Sequence, residues 1–235
     1  MGETNFSTLS GNLSAASVAR GVSAGFTVPN GGSSYVFGYN SLDTSAGAVG
    51  YYCNETDFSP LVDDAAAASG GSIRGAIKRG TSGGPTDFAP FFFIGLQAAD
   101  TTSTAYMLGL SDNSPYEILL AKTTPENGLD PSASTVLRAS TATYSPDTWH
   151  HLRLDMIVNP NGDVVLNVFE SDLSTYAVTS PTWAAITGMA SFIDDALGVN
   201  SETVPITGGY VGFGFQTGNV QRRGYFDHIE IFRQK

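Results

Sequence analysis

The sequence predicts an all-β protein built as a sandwich of two antiparallel sheets, and three observations carry that expectation. From Gly25 onward, short runs rich in aromatic and β-branched residues are separated by clusters of Gly, Pro, Asn, Asp and Ser. Several runs alternate apolar and polar residues with the period of two that a half-buried strand requires. Only one stretch, near 183–197, spaces its apolar residues as a helix does. Many short strands with so little helix fit a sandwich.

Strands are expected at 25–28, 34–39, 48–53, 72–79, 88–97, 105–111, 116–122, 135–141, 149–158, 163–170, 209–216 and 225–233. The segment 149–170 is the clearest. Leu152, Leu154, Met156 and Val158 share one face, with Arg153, Asp155 and Ile157 on the other. Asn159-Pro160-Asn161-Gly162 supplies a turn, and Val164, Leu166 and Val168 alternate on the way back, so a hairpin is predicted. In 209–215, glycine fills every second position of one face, which suits close approach of another layer. In the last run, Ile229 and Ile231 are expected on one face and Phe226 and Phe232 on the other. Trp183, Ile186, Met189, Phe192, Ile193 and Leu197 predict one short helix lying on the sandwich near 183–197. The chain reads as an N-terminal arm, residues 1–23, followed by a single sandwich domain, residues 24–235. Ala65–Gly71 joins two strands rather than two domains.

Composition limits the partners. The net charge is −11, from 22 acidic and 11 basic residues. Affinity for a phosphate backbone comes from Lys and Arg, so nucleic acid is excluded as a partner, and anionic membrane surfaces for the same reason. The short basic clusters Arg74–Lys78–Arg79 and Arg222–Arg223 read as solvated strand ends or loops. Charged residues make up 14%, against about 25% in a typical domain, which leaves a surface of Ser, Thr, Asn, Gln and Gly. Such a surface suits contacts with sugars or with other subunits. Cys53 is the only cysteine, in the apolar run 49–53, and reads as a buried, inert thiol. The N-terminus lacks a basic region followed by an apolar core, so cytoplasmic synthesis is expected. The longest aromatic run, Phe91–Ile94, is far too short to span a bilayer.

Three pieces, in order, carry a family resemblance over residues 88–233. Phe92-Phe93-Ile94-Gly95-Leu96 and Tyr106-Met107-Leu108-Gly109-Leu110 resemble central strands of a concanavalin A-like domain. Thr148-Trp149-His150-His151-Leu152-Arg153-Leu154 is similar to a strand that recurs in laminin G-like and pentraxin-like domains. Gly209–Phe213 and Phe226–Phe232 resemble their closing strands. The resemblance implies a concanavalin A-like jelly roll with a concave face on which relatives bind sugars, Trp149 at a family core position, and calcium as the one metal left open. It implies no single function.

The residues offer little chemistry. Glycosidases of this fold commonly place carboxylates on one strand as E-x-D-x-E or E-x-D-x-x-E, and this chain has neither spacing. Asp227 and Glu230 are expected on opposite faces, and Glu55 and Asp57 lack a third carboxylate. His150 and His151 point to opposite faces of a regular strand and cannot share a metal, so they and His228 read as sheet residues. Asp63-Asp64, Asp112-Asn113, Asp163 and Asp194-Asp195 are calcium candidates without a ligand spacing, and read as solvated turn acids. Tyr35, Tyr39, Tyr51, Tyr52, Trp149 and Trp183 are the candidate sugar stackers. No catalytic, cofactor-binding or metal-ligating residue is assigned, and the protein is expected not to be an enzyme.

Two functions are therefore expected. The first is a structural component of a bacteriophage virion: a capsid decoration protein, or a tail or fibre protein. It would partner other virion proteins and itself, and reach the virion after synthesis in a host cytoplasm. The alternative is a lectin-like module that binds carbohydrate. The two overlap if a particle protein adheres to surface glycans.

Overall fold

The computed structural model describes residues 6–8, 18–20, 37–40, 47–53, 69–79, 88–111, 115–130, 132–145, 148–172, 181–195, 204–217 and 223–234. Fifteen strands lie among them: β1 (Phe6–Thr8), β2 (Val18–Arg20), β3 (Phe37–Asn40), β4 (Gly47–Cys53), β5 (Ser69–Arg79), β6 (Phe88–Leu96), β7 (Ala105–Leu110), β8 (Ile118–Thr123), β9 (Thr135–Ala139), β10 (Trp149–Val158), β11 (Val164–Ser171), β12 (Trp183–Ala185), β13 (Phe192–Asp194), β14 (Tyr210–Thr217) and β15 (Arg223–Gln234). They form two antiparallel sheets. Sheet A has the order β1-β4-β14-β6-β7-β8-β9, and sheet B the order β12-β11-β10-β5-β15-β3-β2, with β13 also on β11. Two strands of the 1–23 segment thus lie at sheet edges, β1 on β4 and β2 on β3. The expected strand at 25–28 lies outside the described residues.

The inner faces meet in one apolar core. Sheet A contributes Phe92, Ile94, Tyr106, Leu108, Val211, Phe213 and Phe215. Sheet B contributes Ile73, Ile77, Leu152, Leu154, Met156, Leu166 and Phe226. Phe226 sits at the centre, its ring 4.8 Å from Phe213, 4.7 Å from Phe215 and 5.9 Å from Phe92 between centroids. The predicted hairpin is present. Arg153 pairs with Phe169 and Val158 with Val164, and Gly162 at φ 90° closes the turn by donating its N–H to the Asn159 carbonyl at 2.9 Å.

Three expectations need correction. No helix forms over the described residues 181–195. Trp183–Ala185 and Phe192–Asp194 instead pair in tandem along the free edge of β11, and Gly188 at φ 89° turns the chain between them. The turn brings Met189 and Phe192 into the core and leaves Ile193 exposed, so a three-residue spacing of apolar side chains imitated a helix. In β15, a bulge with His228 at φ 49° sets three steps, Asp227 to Glu230, against two on β5, Ala76 to Arg74. Phe226 and Ile231 therefore share the core face, and Phe232 turns outward. The same bulge puts Asp227 and Glu230 on one face, not two. Finally, Lys78 and Arg79 are buried in β5 and Arg74 is half-buried, so this cluster is not a solvated strand end.

Candidate functional site

A two-sheet sandwich has two outer faces on which a site can form. On sheet A, the outward positions of β6, β7 and β8 include Phe91, Phe93, Ala105, Met107, Leu119 and Ala121, all buried in a second apolar cluster together with Leu129. Gly109 reports how tightly that layer closes. A Cβ there would lie 2.2 Å from the Pro90 carbonyl oxygen and 2.8 Å from Leu129 Cδ1. Gly212 and Gly214 pair with Phe93 and Phe91 on the same face and leave room beside their rings. The described outward residues of these three strands include no carboxylate and no open aromatic platform.

The outer face of sheet B has the opposite character. Register across four strands aligns Phe169, Arg153, Arg74 and Glu230 in one row. The next row is Asn167, Asp155, Ser72 and Phe232, and the row on the other side is Ser171, His151, Ala76 and Asp227. Trp183 of the edge strand pairs with Ser171. Two arginines thus face each other directly across β5 and β10. Arg74 donates from Nε to Glu230 Oε2 at 2.6 Å. Arg153 grips Asp155 with both Nε and Nη2, at 2.6 and 2.5 Å. Aromatic rings hold both guanidiniums: Arg74 lies 4.7 Å from the Phe232 centroid and 5.9 Å from Trp183, and Arg153 lies 5.2 Å from Phe169 and 5.8 Å from Trp183. Ser72, Arg74, Arg153 and Phe232 line an open depression of about 220 Å³. Phe232 in its wall is 41% exposed, and Trp183, which packs on both guanidiniums, is partly exposed.

His151 stiffens the floor beside this pair. Its Nδ1 bonds to Ser171 Oγ, and its ring lies 4.6 Å from Trp183. Burial, with the charges of Arg74 and His228 adding to it, pushes its pKa down to about 4, so it is neutral at physiological pH. Further along, Trp149 is buried on this outer face against Tyr225 at 6.4 Å, with Lys78 Nζ 5.9 Å from its ring. It is a buried residue as the resemblance implied, but it lies outside the inter-sheet core.

The other predicted residues are scattered. Tyr35 lies outside the described residues, as do the side chains of Tyr39, Tyr51, Tyr52 and Cys53. Of the candidate stackers, Trp183 alone is both described and open to a ligand. His150 bonds Glu170 Oε1 at 2.8 Å, on the face opposite His151. Asp227 contacts His228 Nδ1 at 3.2 Å. Among the calcium candidates, Asp63-Asp64 and Asp112-Asn113 lie outside the described residues. Asp163 accepts from Asn161 Nδ2 at 2.6 Å in the hairpin turn. Asp194 is not a solvated turn acid: it is fully buried, accepting from Lys122 Nζ at 2.6 Å and Tyr106 OH at 2.5 Å. Among the described residues, no three His, Cys, Asp or Glu side chains cluster as a metal site. Sequence reasoning missed Arg74, Phe169 and Phe232 as a group with Arg153. The outward parity of Arg153 and Asp155 was visible, but their cross-strand partners were not.

No protein-family model matches the chain, and no curated protein matches it in sequence. Solved structures match its fold. The PL-14 alginate lyase from the marine Aplysia kurodai has a TM-score of 0.54 at 12% identity, covering 93% of this chain and 88% of its own. The cellulose induced protein Cip1 has a TM-score of 0.50 at 11% identity, with 98% and 92% covered. The potassium-bound carbohydrate recognition domain of Emp46p has a TM-score of 0.50 at 9% identity, with 97% and 88% covered. Identities this low establish architecture alone: the chain is a concanavalin A-like jelly-roll sandwich.

Proposed function

We propose that the chain is a non-enzymatic, lectin-like module that binds carbohydrate on the outer face of sheet B. The observation that carries the reading is the depression lined by Arg74, Arg153 and the exposed ring of Phe232, with Trp183 packed against both guanidiniums beside it. A sugar offers a flat apolar ring face and a rim of oxygen acceptors, and aromatic rings beside fixed guanidinium donors complement both. The similarly folded Emp46p domain is a carbohydrate recognition domain by name, which agrees with this reading. The apolar outward positions of β6, β7 and β8 weigh against a glycosidase built on those strands.

The test is a glycan-array screen of the purified chain, with and without calcium. Reproducible binding that Trp183→Ala removes without lowering the melting temperature is the expected result, and calcium dependence would bring the loop acids into the site. A blank array in both conditions would overturn the reading. Residence in a virion, with other virion proteins as partners, rests on composition alone. Its check is the presence of the chain in purified particles.

A further inference from the structure

We infer that the Arg74–Arg153 pair is a carboxylate subsite, and that the carbohydrate this face takes is an acidic one bearing uronate groups. The inference rests on the lectin-like reading above and specifies its ligand.

Hydrogen-bonding capacity at the depression is weighted towards donors, with Oε1 of Glu230 the one oxygen of these two carboxylates that no arginine engages. Both oxygens of Asp155 are taken by Arg153, and Oε2 of Glu230 is taken by Arg74. On the donor side, Nη1 and Nη2 of Arg74 and Nη1 of Arg153 have no hydrogen-bond partner among the described residues. A guanidinium carries five N–H donors and no acceptor. The site therefore presents surplus donors, and its ligand must supply acceptors.

Charge sharpens that requirement. Arg74 and Arg153 occupy directly opposed positions on neighbouring strands, where like charges repel. Asp155 and Glu230 offset part of that repulsion from the flanks, and Glu230 is itself 43% exposed and shared with solvent. An anion seated between the two guanidiniums relieves the remainder. A planar carboxylate has one oxygen for each arginine, accepting from the open Nη groups of Arg74 and from Nη1 of Arg153. The guanidiniums are already held by Phe232, Phe169 and Trp183, so little side-chain freedom is lost on binding. The exposed Phe232 edge borders the place where the sugar ring carrying that carboxylate would lie.

The experiment compares matched ligands on the full chain. Oligogalacturonate, oligomannuronate and oligoguluronate are titrated by calorimetry, each beside its methyl-esterified form, which keeps the backbone and removes the charge. At least one acid is expected to bind about ten-fold or more tighter than its ester, as charge-assisted hydrogen bonds imply. Arg74→Gln and Arg153→Gln should each erase that preference. The wild-type acid-to-ester ratio needs no variant to fold, so it decides alone if a substitution destabilises the sheet. Acids that bind no tighter than their esters overturn the carboxylate subsite. In that case, neutral-glycan binding on the array leaves the lectin-like reading standing, whereas a blank array removes both.

Discussion

Two buried polar residues show what single side chains contribute. Asp194 is fully buried between the sheets, and Lys122 and Tyr106 both donate to its Oδ2. The Tyr106 hydroxyl in turn accepts the Ile206 N–H at 3.0 Å. Burial, with Asp194 adding to it, raises the pKa of that hydroxyl and keeps it protonated as a donor. Removing one member of a buried ion pair strands the other in an apolar surround at a cost of about 3–5 kcal/mol. Asp194→Ala should therefore lower stability by that amount in a denaturant titration. Lys122→Met combined with Asp194→Leu should cost clearly less than the sum of the two single changes. His151 makes a second residue-scale prediction. Its folded pKa of about 4 lies below the ordinary 6.5, so the unfolded chain takes up its proton first. Stability is then full above pH 6.5 and falls as pH drops through the window to 4, by about 3 kcal/mol from this residue. His151→Gln should flatten that part of the stability-against-pH curve; an unchanged slope would contradict the assignment.

Elements were legible where one local rule decided them. The 149–170 hairpin could be read from the sequence because Leu152, Leu154, Met156 and Val158 keep a strict period of two and Gly162 marks the turn. β15 could not, because its face assignment depends on a bulge at His228, a non-glycine residue at positive φ with no compositional mark. Residues 183–194 misled because their apolar spacing suits a helix as well as two short strands on either side of a turn; the free edge of β11 decided between them. The candidate site was least legible. Arg74, Arg153, Phe169 and Phe232 lie far apart in sequence, and only the register of four strands gathers them. At this scale Gly109 gives a sharp expectation. A methyl group there collides with the Pro90 carbonyl of the neighbouring strand, so Gly109→Ala should destabilise the chain by about 1–3 kcal/mol through displacement of β7 from β6. Thermal unfolding of the variant measures this.

At the scale of the whole molecule, chain order and spatial order diverge most at the C-terminus. β15 is the last strand in sequence, yet it lies inside sheet B, hydrogen-bonded to β5 on one side and β3 on the other. It carries Phe226, whose ring meets Phe92, Phe213 and Phe215 of sheet A, and it carries Phe232 and Glu230 to the outer face. One strand therefore joins both sheets and the candidate site. Terminal segments of most domains fray without consequence, but here removal would expose the ladder groups of two strands and open the centre of the core. Deletion of residues 223–235 should abolish the cooperative thermal transition. Phe226→Ala alone should cost about 3–5 kcal/mol while keeping a single transition. A truncated chain that still melts cooperatively would show that sheet B closes without its inner strand, and that the two sheets are less interdependent than their shared core implies.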